Sequence, residues 1–209
     1  MKNIAVFASG RGSNFVRIYQ SIAEGKIPAR IRCLITDNEH AGAIDFARQK
    51  KLPVYTESPK NYAAPNLFGE ALLQILKKHD TEWIVLAGYL KKIPDNVVGA
   101  YANRIVNIHP ALLPSFGGSG MYGQRVHQAV YDSGAKISGV TVHLVNTEYD
   151  RGPIVMQRSV NIEDCRSPEE IAETVLRVEH IVYSEALRKL LTCDFEVSGN
   201  RVVFKPDTQ

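Results

Sequence analysis

The chain has 209 residues, 44% of them apolar and 22% charged, and a formal charge of +3. That length suits one domain, which buries roughly 70% of the surface its unfolded form exposes and folds without disulfide or metal staples. No run approaches the ~18 apolar residues of a membrane span. The basic residues are scattered except for pairs such as Lys50-Lys51, Lys77-Lys78 and Lys91-Lys92, which points away from nucleic-acid and membrane partners and toward small anionic ligands. Cys33, Cys165 and Cys193 are an odd number with no CxxC spacing, so neither a disulfide framework nor a cysteine zinc site is expected. A single lysine leads directly into a short apolar run, without the longer apolar region and cleavage site of a signal peptide; a cytoplasmic location is the expectation.

In chain order, a first strand at residues 4–8 runs into Ser9-Gly10-Arg11-Gly12-Ser13-Asn14, which opens a helix at 14–24. Glycines let backbone approach a ligand, and the free N–H groups of a helix start favour an anion such as phosphate. The plainer alternative is a tight turn with Ser13 or Asn14 as an ordinary cap. A dinucleotide site is disfavoured because the third glycine of GxGxxG is missing. Strands at 31–36, 54–56 and 83–87 then alternate with helices at 41–50, 65–78 and 95–102. This alternation argues for an α/β fold, a mostly parallel twisted sheet with helices on both faces.

A strand at 105–108 ends in Asn107-Ile108-His109-Pro110. Period-two alternation puts Asn107 and His109 on one face, where two polar donors can hold an oxygen that becomes negative. The plainer alternative is a buried polar pair that serves only structure. The segment Ser115 to Gly123 carries four glycines in nine residues, the freedom expected of a loop that orders over a ligand or of a merely mobile connection. A helix at 124–133 and strands at 140–145 and 154–160 follow. His143 sits mid-strand, where a packed histidine bonded to backbone is the plainer alternative to a functional role. Asp150-Arg151-Gly152-Pro153 turns between these two strands, and its carboxylate is placed to orient His109 and raise its pKa. The six histidines show no HxH or HExxH spacing, so no metal site is expected.

Ser167-Pro168-Glu169-Glu170 starts a last helix at 168–191, with an N-cap, a proline at the first position and acidic residues in the first turn. Its core stripe is expected at Ile171, Val175, Val178 and Val182, with Glu179 on the same face and needing a partner. Residues 195–204 read as a C-terminal β-hairpin turning at Gly199-Asn200. No repeat or linker divides the chain, so residues 1–209 are read as one domain.

Together these stretches resemble the phosphoribosylglycinamide formyltransferase family, the folate-dependent glycinamide ribonucleotide transformylases of purine biosynthesis. The likeness rests on SGRGSN at 9–14, LAGYLKKI at 86–93, NIHPALLP at 107–114, SGVTVHLV at 138–145, DRGP at 150–153 and VEH at 178–180. The resemblance implies a Rossmann-like formyltransferase fold and transfer of formyl from 10-formyltetrahydrofolate to the amine of glycinamide ribonucleotide. It implies that Asn107 and His109 stabilise the oxyanion and that Asp150 keeps His109 cationic and assists proton transfer. It assigns the substrate phosphate to Gly12, Ser13 and Asn14 and the ribose to Glu179. It assigns the folate to Leu90, Lys91, Lys92, Ile93, Asn107, His143 and Val145, within a wall that includes the segment from Val145 to Asp150. The implied partners are these two small molecules, with the chain a monomer or homodimer, residues 1–100 mainly phosphate-binding and 101–209 mainly catalytic and folate-binding. Four positions depart from the family pattern. Pro65 and Lys91 stand where arginine is common, Arg151 where many members have a small residue, and Ser119 where relatives with this glycine-rich loop carry lysine. Deformylases and other formyltransferases share the donor, while a nucleotide-binding domain using the glycine loop alone leaves Asn107, His109 and Asp150 without a role.

Overall fold

The computed structural model describes residues 1–206, and the chain divides into two compact units, Met1–Asn107 and Ile108–Gln209. The division falls inside a strand, a few residues later than a cut at residue 100.

In the first unit the strands are β1 (Lys2–Phe7), β2 (Ala29–Thr36), β3 (Val54–Thr56), β4 (Trp83–Leu86) and β5 (Ile105–His109), the last running on into the second unit. Their order is β3-β2-β1-β4-β5, and the β1–β2, β1–β4, β2–β3 and β4–β5 pairings are all parallel. Ile4 to Phe7 are all fully buried, as are Leu34, Ile35, Ile84 and Val85. Strands covered on both faces read as unbroken apolar runs rather than alternating ones. Crossovers are made by α1 (Ser13–Ala23), α2 (Ala43–Gln49), α3 (Pro65–Lys78) and α4 (Asp95–Ala100). The bounds of α3 follow from Pro65 in its first turn and Lys77 and Lys78 in its last, where a fixed φ and the helix dipole favour them. Its Phe68, Leu72, Ile75 and Leu76 are buried, the spacing of one helix face. A short 3-10 turn at Pro59–Asn61 lies between β3 and α3, too brief to show in the sequence pattern.

The second unit holds α5 (Gln124–Asp132), β6 (Ile137–Leu144), β7 (Ile154–Asn161), α6 (Pro168–Thr192), β8 (Phe195–Ser198) and β9 (Arg201–Phe204). Its strands lie in the order β6-β7-β9-β8. β6 pairs antiparallel with β7, β9 pairs parallel with β7, and β8 and β9 form the expected C-terminal hairpin. The β6–β7 register breaks between Val142 and His143, where the partner skips from Met156 to Ile154. Such a bulge re-aims the local side chains and strengthens the twist. The Leu113-Pro114 peptide is cis.

Helix α6 begins at an N-cap, Ser167, whose hydroxyl accepts the Glu170 N–H at 3.3 Å, while the Glu170 carboxylate reaches back to the Arg166 N–H at 2.7 Å. This is close to a reciprocal capping box. Its buried line runs Ile171, Val175, Glu179, Val182, Tyr183, Ala186, Leu187 and Leu190. Val178, expected on the core stripe, is only half-buried. At 100° per residue, the line through Ile171 and Val175 continues through Glu179 and leaves Val178 to one side.

Candidate active site

Strand β5 carries Asn107 and His109 two residues apart, hence on one face. His109 is 3% exposed. Its Nε2–H donates to the Phe116 carbonyl at 2.8 Å, and its Nδ1 lies 3.6 Å from Asp150 Oδ2. A carbonyl only accepts, so it fixes the proton on Nε2 and leaves Nδ1 facing a carboxylate. Two acceptors around one imidazole match its doubly protonated form. Burial opposes that form and is the larger effect. It pushes the His109 pKa below the ordinary histidine value against the upward pull of Asp150 and of the Phe116 carbonyl, while His143 adds to the lowering. The expectation that Asp150 raises the pKa of His109 therefore holds for the pair interaction and not for the net result, because desolvation penalises the cation more.

Asp150 sits in the β6–β7 turn with φ 53°, a left-handed conformation that aspartate tolerates better than most residues. It is a shared neighbour of two imidazoles, since His143 Nε2 lies 3.6 Å from its Oδ1. The Gly118 N–H donates to Oδ2 at 3.0 Å. Burial raises the Asp150 pKa, but contact with His143, the His109 charge and the Gly118 N–H together hold it below the usual carboxylate range. His143 is buried and donates from Nδ1 to the Leu144 carbonyl at 2.9 Å. That bond fixes its ring against the strand and leaves the other nitrogen toward the carboxylate.

The glycine-rich segment is tied to this group at its start. Phe116 supplies the carbonyl on His109, Gly118 the N–H on Asp150, and a Cβ on the intervening Gly117 would stand 2.3 Å from Leu113 Cδ2 and 3.2 Å from Asp150 Cβ. Phe116 adopts φ 55°, a strained conformation for a bulky residue. The backbone between His109 and this loop is pinned by Thr141, which donates to the Ala111 carbonyl at 2.7 Å and accepts from the Leu113 N–H at 3.0 Å and from Gln157 Nε2 at 2.9 Å.

In the first unit, Gly12 is the N-cap of α1 at φ 77°, with no side-chain cap. A Cβ there would lie 2.8 Å from the Ala43 Cβ, so glycine is required both by conformation and by space. Ser13 begins the helix and Asn14 is buried in its first turn, which sets aside the reading of either as an ordinary cap. Gly12, Ser13 and Asn14 thus form an opening turn whose backbone N–H groups have no cap side chain over them.

Of the residues expected around the folate, Leu90 is 43% exposed while Ile93 is buried. Lys91 pairs with Asp37 at 3.5 Å and Lys92 with Asp95 at 3.0 Å. Val145 is half-buried just past β6. Glu179 is 8% exposed on the buried line of α6. Among the described residues, no group of three or more His, Cys, Asp or Glu side chains is placed to hold a metal.

Sequence reasoning singled out the glycine-rich loop but missed the Phe116 carbonyl on His109, the Gly118 N–H on Asp150 and the Asp37–Lys91 pair, because a backbone carbonyl, a backbone N–H and an isolated aspartate at a strand end carry no motif. It also missed His127, a 6% exposed residue of α5 whose Nδ1 has no hydrogen-bond partner. Burial, with His109 adding to it, pushes its pKa down to about 4. Its position three residues before the core residue Val130 is the one signal that placed it inward.

An imidazole held between a carboxylate and a carbonyl, with an amide on the same strand of an α/β sheet, defines a protein equipped for acyl-type group transfer. The chain belongs to the formyl transferase family, whose model matches residues 2–187. The phosphoribosylglycinamide formyltransferase of Bacillus subtilis (strain 168) is 37% identical over 191 residues, 91% of this chain and 95% of its own length. The chloroplastic phosphoribosylglycinamide formyltransferase of Arabidopsis thaliana is 43% identical over 187 residues, 89% of this chain. The chain spans 64% of the length of that plant relative. Among solved structures, glycinamide ribonucleotide transformylase 1 from Symbiobacterium toebii superimposes with a TM-score of 0.91 at 32% identity, covering 98% of this chain and 94% of that one.

Proposed function

We propose that this chain transfers the formyl group of 10-formyltetrahydrofolate to the amine of 5-phosphoribosylglycinamide, giving the N-formyl ribonucleotide and tetrahydrofolate. The observation that carries the reading is the His109–Asp150 pair at 3.6 Å, at the end of the strand that also bears Asn107. The bacterial relative named for this activity, matched over 95% of its length, supports it.

The donor supplies an activated formyl carbon; the residues govern charge and protons around it. As the acceptor amine bonds to that carbon, the formyl oxygen becomes negative and the nitrogen positive. Asn107 presents a fixed amide dipole to the oxygen, and His109 presents its Nε2–H. That N–H is occupied by the Phe116 carbonyl at 2.8 Å, so the oxygen takes over a donor the loop start otherwise holds. Negative charge beside the ring favours the imidazolium, with Asp150 on the other nitrogen, and the pair then passes a proton from the attacking nitrogen to the departing one. Gly12, Ser13 and Asn14 hold the substrate phosphate on backbone N–H groups, and Glu179 accepts from the ribose hydroxyls. Leu90, Lys91, Lys92, Ile93 and Val145 contact the folate, while His143 acts through Asp150.

The test is a spectrophotometric assay of folate product with each substrate omitted in turn. Formation that requires both substrates is the expected result. Equal folate release without the ribonucleotide makes the chain a deformylase, and no turnover with both overturns the assignment.

A further inference from the structure

Every polar group of Ser9 is committed. Its N–H donates to the Gly88 carbonyl at 3.1 Å and its carbonyl accepts from Asn38 Nδ2 at 3.2 Å. Its hydroxyl accepts the Leu90 N–H at 2.9 Å and donates to Asp37 Oδ1. The other oxygen of Asp37 faces Lys91 Nζ at 3.5 Å, with the aspartate side chain 8% exposed. Tyr89, between the two backbone positions that bond Ser9, is held edge-on against Phe7 of β1 at 5.2 Å between ring centroids. Ser9 therefore joins three segments of the first unit: the glycine loop that opens α1, the end of β2, and the loop after β4.

A buried hydroxyl with both roles filled cannot move alone, because any shift leaves a buried donor or acceptor unsatisfied. The glycine loop and the loop from Gly88 to Lys91 must accordingly move together. We propose that Asp37 and Ser9 are positioning residues that couple the two loops, so that occupancy of residues 12–14 tightens binding at residues 90–93 and the reverse. The proposal rests on the reading above, in which the first loop takes a phosphate and the second the folate. An anion on the N–H groups of 12–14 fixes Ser9, its hydroxyl fixes the Leu90 amide, and linkage makes the effect reciprocal. Lys91 serves here as the counter-charge of Asp37 near the glycine loop. Asp37 needs that partner, since a carboxylate beside an anion site otherwise repels the ligand.

The experiment measures amide hydrogen exchange by NMR with and without inorganic phosphate, together with steady-state kinetics. In the wild type, phosphate should slow exchange at residues 12–14 and at Leu90, and saturating ribonucleotide should lower KM for the formyl folate roughly five-fold or more. Ser9→Ala should keep the protection at 12–14, lose it at Leu90, and bring the KM ratio close to one, with the pH profile of kcat unchanged. Asp37→Ala should behave like Ser9→Ala, whereas Asp37→Asn, which still accepts from the hydroxyl, should retain Leu90 protection. Phosphate that protects 12–14 but not Leu90 in the wild type, or coupling that survives Ser9→Ala, overturns the relay. Absence of protection at 12–14 overturns the phosphate reading and the relay with it.

Discussion

His109 illustrates how burial and partners compete for one proton. Asp150 and the Phe116 carbonyl favour the charged ring, and burial outweighs them. Replacing Asp150 with asparagine removes the upward pull, so the His109 pKa should fall further below the ordinary histidine value, read as a shift of its ring carbon resonances on titration. An unchanged titration separates the two residues. Asn107→Ala and His109→Ala should each lower kcat by about 10²–10³, the scale for an oxyanion donor; wild-type turnover in either variant removes that role. His127 makes a different prediction. Its pKa is near 4 in the fold against an ordinary 6.5, so the unfolded chain binds the extra proton first as pH falls. Its contribution to stability is complete above about 6.5 and is lost as pH falls toward 4, amounting to about 3 kcal/mol. His127→Leu should flatten urea-unfolding free energy against pH across that window, and a slope unchanged from wild type excludes His127 as its source.

At the scale of elements, the turn between β6 and β7 is constrained at two points, by the left-handed Asp150 and by the close backbone approach at Gly152. A Cβ on Gly152 would meet the Leu144 carbonyl oxygen at 1.8 Å, and that oxygen belongs to the backbone, so the turn itself must shift. Gly152→Ala should displace Asp150 and lower kcat strongly, with a drop in melting temperature; full activity in a folded variant shows that the turn does not set Asp150. Much of this level was legible in the chain. Pro65 and the lysine pair fixed α3, the Ser167 cap fixed the start of α6, and Gly199-Asn200 fixed the hairpin. Asn107, His109 and Asp150 were singled out by residue type and spacing, and the structure brings His109 and Asp150 within 3.6 Å. Illegible were the contributions of backbone and burial. The Phe116 carbonyl and Gly118 N–H have no side-chain signature, the desolvation of His109 depends on packing from distant segments, and the choice of Glu179 over Val178 turns on helix phase.

At the scale of the molecule, the two compact units are covalently continuous through β5, and the boundary lies between Asn107 and Ile108. The amide thus belongs to one unit and the imidazole to the next. Their separation is nevertheless set by a strand rise of roughly 3.3 Å per residue, about 7 Å in all, and by the period that puts both on one face. The strand acts as a ruler whose graduation is the peptide unit itself, indifferent to side-chain repacking on either side. One residue inserted between Asn107 and His109 turns the imidazole to the opposite face and should abolish transfer, whereas exchange of Ile108 for valine should leave the rate within a few-fold of wild type. A histidine at this position is useful only in phase with its asparagine.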